Sequence, residues 1–259
     1  MAREYLRNKK IFLTGASSGI GSEMAVQMAR KGAVLGLLAR RESELEKVAE
    51  AVIAEGGEAR VFPGDVTDMQ NVKAAVDAFK DEFGKVDILI ANAGVGGNNK
   101  ETREIQNDAV ARVININLIG AVNSVSAVLP QMLEQGSGHL VAISSLAGFR
   151  GLPKSAAYSG SKAGMSAFFE SLRVDFAPKG IDVSIIAPGF IKTPLTSGRS
   201  KKLPFVLELE DGAARIVKAI EKKKAFYAFP WQLATLVRLA AFLPPSIYDK
   251  FANRNSYRE

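Results

Sequence analysis

Short apolar runs alternate with longer amphipathic stretches along most of this chain. The apolar runs have the length of β-strands, whereas in the stretches between them apolar residues return at the period of an amphipathic helix. The pattern predicts strands at 10–13, 33–39, 59–63, 86–91, 139–144, 181–187 and 225–229. It predicts helices at 22–30, 42–55, 68–83, 117–133 and 155–176, and a strongly aliphatic helix at 231–243.

The alternation of strand and helix also predicts how these elements pack. Strands that are apolar on both faces are typical of a parallel sheet covered by helices on either side. We therefore predict an α/β fold in which residues 1–259 form a single doubly wound, Rossmann-type domain with a parallel sheet of about seven strands. Ligands of such folds bind beyond the carboxyl ends of the strands. Residues 193–210 are expected to form a substrate lid before a further helix, and residues 225–259 a strand and helical tail.

Composition excludes several kinds of chemistry. The 259 residues contain no cysteine and one histidine, His139, which excludes disulfides, thiolate catalysis and an ordinary zinc site. The net charge of +7 comes mostly from scattered lysines and arginines, which indicates a basic solvated surface and no nucleic-acid partner. The amino-terminal segment lacks the apolar region of a secretory signal, so we expect a cytoplasmic protein.

A glycine-rich turn follows the first predicted strand and precedes a predicted helix. In that context glycines let the backbone approach a pyrophosphate closely, and the free N–H groups that open the helix point at the anion. The spacing, Gly-x3-Gly-x-Gly, differs from the general Gly-x-Gly-x-x-Gly fingerprint, and an ordinary turn is the alternative. We predict a dinucleotide phosphate site at Gly15, Ser17, Ser18, Gly19, Ile20 and Gly21.

Two arginines, Arg40 and Arg41, follow the second predicted strand. Proteins that use NAD carry an acidic residue near this place, which accepts hydrogen bonds from the ribose and would repel a 2′-phosphate. Guanidinium groups instead offer a fork of donors to such a phosphate. The pair therefore predicts NADP(H) as cofactor, the alternative being a solvated arginine pair at a helix start.

Tyr158 and Lys162 are four residues apart near the start of a predicted helix, which places both side chains on one helical face. A nearby ammonium group favours the tyrosinate and lowers the pKa of the phenol toward neutrality, so the pair is suited to acid/base catalysis. Ser144 and Ser145 end the fifth strand, at the sheet edge where a ligand is expected. Ser159 and Lys162 also match the Ser-x-x-Lys motif of penicillin-recognising enzymes, but the partner motifs of those enzymes are missing.

These motifs, in this order over residues 9–194, resemble those of the classical short-chain dehydrogenases/reductases. The resemblance implies an oxidoreductase that binds a nicotinamide cofactor. It implies contacts to that cofactor from the glycine turn and from Arg40, Arg41, Asp65, Val66, Asn92, Ala93, Gly94, Tyr158, Lys162, Pro188, Gly189, Ile191 and Thr193.

The resemblance also implies a catalytic set: Asn117, Ser145, Tyr158 and Lys162. The family's usual interval to the tyrosine selects Ser145 over Ser144. In reduction, the nicotinamide transfers hydride to a carbonyl carbon while Tyr158 protonates the developing alkoxide and Ser145 donates a hydrogen bond to the same oxygen. Lys162 would bind the nicotinamide ribose and tune the phenol, and Asn117 would anchor a water for proton exchange. The alternative function is a non-catalytic NADP(H) sensor or scaffold.

Substrate and partners are less well defined by the sequence. Apolar residues near the expected nicotinamide favour an apolar or lipid-like carbonyl or alcohol, and small residues along 155–176 suggest, with the family resemblance, a homodimer or homotetramer. The aliphatic helix 231–243 must bury its apolar surface. A core or subunit-interface helix is favoured, followed by a cover over an apolar substrate and a peripheral membrane contact.

Overall fold

The computed structural model describes residues 5–96, 100–196 and 203–254, without the side chains of 251, 253 and 254. In these residues seven parallel strands form one sheet in the order β3-β2-β1-β4-β5-β6-β7. The strands are β1 (Lys10–Thr14), β2 (Val34–Ala39), β3 (Glu58–Pro63), β4 (Ile88–Ala91), β5 (Gly138–Ile143), β6 (Ile181–Pro188) and β7 (Phe226–Phe229). The predicted fold class is confirmed, with strand ends within one or two residues of the predicted ones.

Helices cover both faces of this sheet. The α-helices in the described residues are α1 (Gly19–Ala29), α2 (Glu42–Ala54), α3 (Met69–Phe83), α4 (Lys100–Arg103), α5 (Asn107–Ile114), α6 (Gly120–Gln135), α7 (Ala156–Phe176), α8 (Leu209–Glu221), α9 (Trp231–Ala241) and α10 (Pro245–Arg254). Apolar side chains of α1, α2 and α8 form a core on one face, and those of α3, α6 and α7 form a core on the other. The five central strands are therefore almost entirely buried, whereas the edge strands β3 and β7 are partly exposed.

The order of the strands determines where a ligand can bind. The chain proceeds from β1 outward to β3 and then returns to β4 on the other side of β1. The helices that follow β1 and β4 consequently lie on opposite faces of the sheet, which opens a crevice at the carboxyl ends of the strands. The glycine turn leaves β1 at this edge.

The predicted helix at 117–133 is part of a longer helical stretch. α5 continues through a π-helical turn, Asn115–Ile119, into α6, because the wider turn shifts the register without interrupting the helix. The whole stretch, Asn107–Gln135, is long and apolar enough to cross a membrane by length and composition alone. Its buried residues include Val125, Val128 and Met132, which pack against the sheet.

The C-terminal part of the chain differs most from the prediction. The last residues of the expected lid, Leu209 and Glu210, form the first turn of α8, and residues 197–202 lie outside the described residues. α10 has no counterpart in the prediction. In α9 only Ala234 is buried, whereas Trp231, Leu236 and Leu239 are more than half exposed. α9 is therefore not a core helix of the subunit, whereas the subunit-interface, substrate-cover and membrane-contact alternatives stay predictions.

The sole histidine lies at the opposite edge of the sheet from the glycine turn. His139 is 1% exposed, its Nδ1 is 3.1 Å from the Tyr5 hydroxyl, and its Nε2 is 2.8 Å from Ser184 Oγ. Burial lowers the pKa of His139 to about 4. The imidazole is therefore neutral at pH 7, and it fastens the segment before β1 to β5 and β6.

We predict that His139→Gln flattens the acid dependence of stability. Between pH 6.5 and about 4 the unfolded chain binds a proton at His139 that the native protein does not, so wild-type stability falls as the pH is lowered through this window. The loss attributable to His139 is about 3 kcal/mol. Urea unfolding at pH 7 and pH 4.5 measures it, and equal pH dependence in both proteins would contradict the assignment.

Candidate active site

One large cavity, of about 930 Å³, lies along the carboxyl edge of the sheet. It extends from the glycine turn, past the ends of β4, β5 and β6, to α9 and α10. The site residues named from the sequence line it with a single exception, Asn117. They are Gly15, Ser17, Ser18, Gly19, Ile20, Gly21, Arg40, Arg41, Asp65, Val66, Asn92, Ala93, Gly94, Ser145, Tyr158, Lys162, Pro188, Gly189, Ile191 and Thr193.

The glycine turn is packed too tightly for larger residues. Gly15 has φ of +67°, and a Cβ there would lie 2.6 Å from Ala93 Cα. A Cβ on Gly21 would lie 2.2 Å from the carbonyl oxygen of Gly15. Because the turn also has no side-chain cap at Ser18, the first N–H groups of α1 face the cavity without a capping side chain. This cradle fits the diphosphate of a dinucleotide.

Hydrogen bonds hold the turn to the loop after β4. Asn92 Nδ2 donates to the carbonyl oxygens of Thr14 and Gly15, at 3.0 and 3.1 Å. The backbone N–H groups of Asn92 and Ala93 donate to Thr14 Oγ1, at 3.1 and 3.2 Å. Sequence reasoning missed Thr14, because one buried threonine at a strand end carries no distinctive signal. Asn92 acts here by positioning the phosphate turn.

The two arginines have different surroundings. Arg41 Nη2 donates to Ser17 Oγ at 3.1 Å and to Ser18 Oγ at 2.8 Å, so its guanidinium lies beside the phosphate turn. Arg40 is exposed too, and its Nη1 is 3.7 Å from the carboxylate of Asp65. Asp65 in turn accepts hydrogen bonds from the N–H and hydroxyl of Thr67. Both arginines line the cavity just after the end of β2.

The Tyr158 and Lys162 side chains extend from the first two turns of α7 into the cavity. Lys162 is 4% exposed, and its Nζ donates to the carbonyl oxygen of Ile143, at the end of β5, at 2.7 Å. Burial lowers the pKa of Lys162 to about 8. Its amine is therefore still mostly protonated at pH 7, which supplies a positive charge one helical turn from the phenol.

The two serines after β5 play distinct parts. Ser144 is buried, and its hydroxyl hydrogen-bonds to Ser166 Oγ at 2.7 Å and to the carbonyl oxygen of Lys162 at 3.1 Å. Ser144 therefore holds β5 to α7. Ser145 is half-buried, and its Oγ accepts a hydrogen bond from the Ala147 N–H at 3.1 Å. Since Oγ is the acceptor in this bond, the hydroxyl proton of Ser145 can be donated to a ligand oxygen.

Asn117 lies behind the cavity wall, in the π-helical turn. Its Oδ1 accepts from the Val95 N–H at 2.7 Å, and its Nδ2 donates to the Val95 carbonyl and to Ser161 Oγ, each at 3.0 Å. Both amide hydrogens are therefore used within the protein. The side chain holds the loop after β4 against α7, and the water-anchoring role that the resemblance implies for Asn117 stays a prediction.

The loop after β6 closes the cavity over the glycine turn. A Cβ on Gly19 would be 3.6 Å from Thr193 Cβ, so Thr193 lies directly above the start of α1. Gly189 donates its N–H to the Phe229 carbonyl at 2.7 Å, and Ile191 is buried. The hydrogen bond from Gly189 and the burial of Ile191 therefore hold this loop in place.

The end of the cavity remote from the phosphate turn is apolar. Leu195 and Phe205 line one side of it, and residues of α9 and α10 line the other. Two polar side chains, Arg150 and Tyr248, also face it. Sequence reasoning missed both, because their contacts join segments that are far apart in the chain. We call this end of the cavity the apolar chamber.

Comparison with known proteins agrees with this geometry. The short chain dehydrogenase family matches residues 9–204. An uncharacterized oxidoreductase of Myxococcus xanthus is 42% identical over 242 residues, which are 93% of this chain and 95% of that protein. The ketoacyl reductase HetN of a Nostoc species is 34% identical over 226 residues, 84% of this chain and 77% of that protein.

A solved structure shows the same likeness. NAD⁺-bound xylitol dehydrogenase superposes with a TM-score of 0.78 at 28% identity, covering 86% of this chain and 98% of that one. The likeness in sequence and in fold thus extends over most of the chain. This chain belongs to the short chain dehydrogenase family of oxidoreductases.

Proposed function

We propose that this protein is an NADP(H)-dependent oxidoreductase that interconverts a carbonyl compound and an alcohol, with Tyr158 as general acid/base. The observation that carries the proposal is the single cavity in which the phosphate cradle, Arg41, Ser145, Tyr158 and Lys162 meet. A protein that only sensed or stored the cofactor would not require the last three. When bound, the nicotinamide supplies or accepts the hydride.

The protein side of the reaction follows from the positions of these groups. The hydroxyls of Ser145 and Tyr158 converge on the cavity from β5 and α7 and bind one substrate oxygen, and Tyr158 gives that oxygen its proton in reduction. The protonated amine of Lys162 stabilises the resulting phenolate and hydrogen-bonds to the ribose. The Asn117 side chain hydrogen-bonds to the Val95 N–H and to Ser161 of α7, and so keeps the loop after β4 in a fixed position relative to α7.

Charge at the end of β2 supports the choice of NADP(H). The Arg41 guanidinium is held by Ser17 and Ser18 at the phosphate turn, and Arg40 lies beside it. Together they place two positive charges where a 2′-phosphate would bind, and no acidic residue precedes them in β2. The superposed xylitol dehydrogenase binds NAD⁺, so the preference is proposed for this chain from its own residues.

The apolar chamber supports an apolar or lipid-like substrate. Its walls come from the side chains of Leu195, Phe205, Leu236 and Leu243 and from neighbouring aliphatic residues. An aliphatic chain or fused ring system would bury this surface, whereas a sugar would leave its own hydroxyl groups there without partners. The peripheral membrane contact of α9 stays a prediction, consistent with the exposed Trp231.

We predict that Tyr158→Phe lowers the rate of carbonyl reduction at least a hundredfold, because the proton donor is lost. The NADPH dissociation constant should change less than about twofold, since the phenyl ring keeps the same volume. Stopped-flow NADPH oxidation and fluorescence titration measure the two effects. Tyr227→Phe, a matched change in β7 outside the described cavity lining, is the control. Retained activity in Tyr158→Phe would remove this residue from its role.

We predict that Arg41→Ala weakens NADPH binding about tenfold or more, as expected when a charged hydrogen bond to phosphate is lost. NADH binding should change much less, because NADH lacks that phosphate. Arg60→Ala is the control, because it removes an exposed arginine that forms an ion pair with Glu82. It should change neither the affinity for NADPH nor that for NADH. A wild-type protein that binds NADH more tightly than NADPH would contradict the assignment.

We also propose self-association through the outer face of α7. Ala156, Gly160, Ala163 and Ala167 are exposed there, and a Cβ on Gly160 would meet no atom within 4 Å. Such a face permits close approach of a second helix. We predict a dimer or tetramer in sedimentation velocity, and a shift to smaller species for Ala163→Arg. If the wild type sediments as a monomer, this proposal is wrong.

A further inference from the structure

Several contacts attach the α9–α10 pair to the rest of the subunit, among them that of Arg238 in α9, whose guanidinium carbon lies 5.7 Å from the Phe149 ring centroid and 5.4 Å from the Phe226 ring centroid. At the start of α9, Ala234 and Leu233 pack on Leu146 and Ala187, directly beneath the apolar chamber. At the far end of α9, where it gives way to α10, the attachment is polar and involves Arg150 and Tyr248. Between these places the described apolar residues of α9 are mostly exposed or face the chamber.

Arg150 binds the C-terminal end of α9. Its Nη1 donates to the carbonyl oxygens of Ala240 and Leu243, the latter at 2.7 Å. The last carbonyls of a helix lack partners within the helix and carry its negative dipole end, so a guanidinium group satisfies both their hydrogen bonding and their charge. This contact joins residues about ninety positions apart in the chain.

Tyr248 completes the attachment from α10. Its ring lies under the Arg150 guanidinium, 3.8 Å from the guanidinium carbon to the ring centroid, and its hydroxyl donates to the Gly151 carbonyl at 2.5 Å. A planar guanidinium can make two hydrogen bonds in its plane while it stacks on an aromatic face, a combination that a lysine cannot reproduce. Arg150 is thereby held between two helix ends.

The loop that carries Arg150 connects the attachment to the chemistry. It begins at Ser145 and leads into α7, which carries Tyr158. A displacement of the helix pair would therefore move the apolar chamber relative to the hydroxyls that bind the substrate oxygen. Leu239, Ala240 and Leu243, next to the bonded carbonyls, line the chamber themselves.

We propose that Arg150 and Tyr248 form a latch that holds α9 and α10 as the wall of the apolar chamber, and that the latch determines specificity for long apolar substrates. The inference rests on the proposed carbonyl reductase function. Arg150 and Tyr248 are positioning residues, because they act through the wall and not on the reacting atoms. A short substrate occupies the space near Ser145 and Tyr158, whereas a long one depends on the wall.

The test compares butanone with a long straight-chain methyl ketone as substrates of the NADPH-loaded protein. In Arg150→Met the ratio of kcat/KM for the long ketone to that for butanone should fall about tenfold, through a higher KM for the long ketone, because charged hydrogen bonds are lost. Arg150→Lys should restore part of this ratio, and Tyr248→Phe, which keeps the stack, should lower it less. Lys250→Met, an exposed charge of the same helix pair, should leave it unchanged.

Hydrogen exchange provides a readout that needs no substrate. Amides of 231–248 should exchange faster in Arg150→Met than in the wild type, while those of α1 and α3 should not. An equal fall in kcat/KM for both ketones would mean a merely structural arginine, and an unchanged ratio or unchanged exchange would also overturn the latch. If the wild type reduces no carbonyl compound, both the proposed function and the proposed specificity are wrong. Hydrogen exchange still shows whether Arg150 and Tyr248 hold α9 and α10 in place.

Discussion

The site depends on the close contact between the glycine turn after β1 and the loop after β4. Gly15 lies against Ala93 with no space for a side chain, and Asn92 and Thr14 join the two segments by hydrogen bonds. Because the sheet order reverses between these strands, the helices that follow them lie on opposite faces of the sheet. Their contact sets the position of the phosphate cradle relative to α7, and hence the distance from that cradle to the hydroxyls of Ser145 and Tyr158.

The buried amine of Lys162 is the second constraint. A charged group is costly to bury without partners, and the carbonyl of Ile143 at the end of β5 offers one at 2.7 Å. The lysine thus ties the helix that carries Tyr158 to the strand that leads to Ser145. Ser144 reinforces the same junction through Ser166 and the Lys162 carbonyl. The two adjacent serines therefore have different roles. Ser144 stabilises the junction between β5 and α7, and Ser145 faces the cavity.

Much of this arrangement could be predicted from sequence, because it follows local rules. Apolar runs located the strands, and the turn after β1, the arginines after β2 and the pair in α7 all lie at strand or helix ends that meet at one edge. The parts that could not be predicted are tertiary. The side-chain contacts of Asn117 depend on a π-helical turn, and Arg150 meets carbonyls that lie in a distant helix. A single sequence gives the periodicity of apolar residues but not the partner of a particular polar side chain. α10 begins at a proline pair, Pro244 and Pro245, and such a pair could equally mark the end of the last helix.

Two portions of the chain form the cavity, and they differ in how extensively they contact the rest of the structure. The residues of its polar half lie at the ends of strands in the central sheet, so moving any one of them disturbs several strands. Its apolar half is supplied largely by α9 and α10, which contact the rest of the subunit through the start of α9, through Arg238 and through the Arg150–Tyr248 attachment. The two halves can therefore diverge at different rates, and grafting a relative's α9–α10 pair onto this subunit offers a route to a new substrate range with the redox centre left intact.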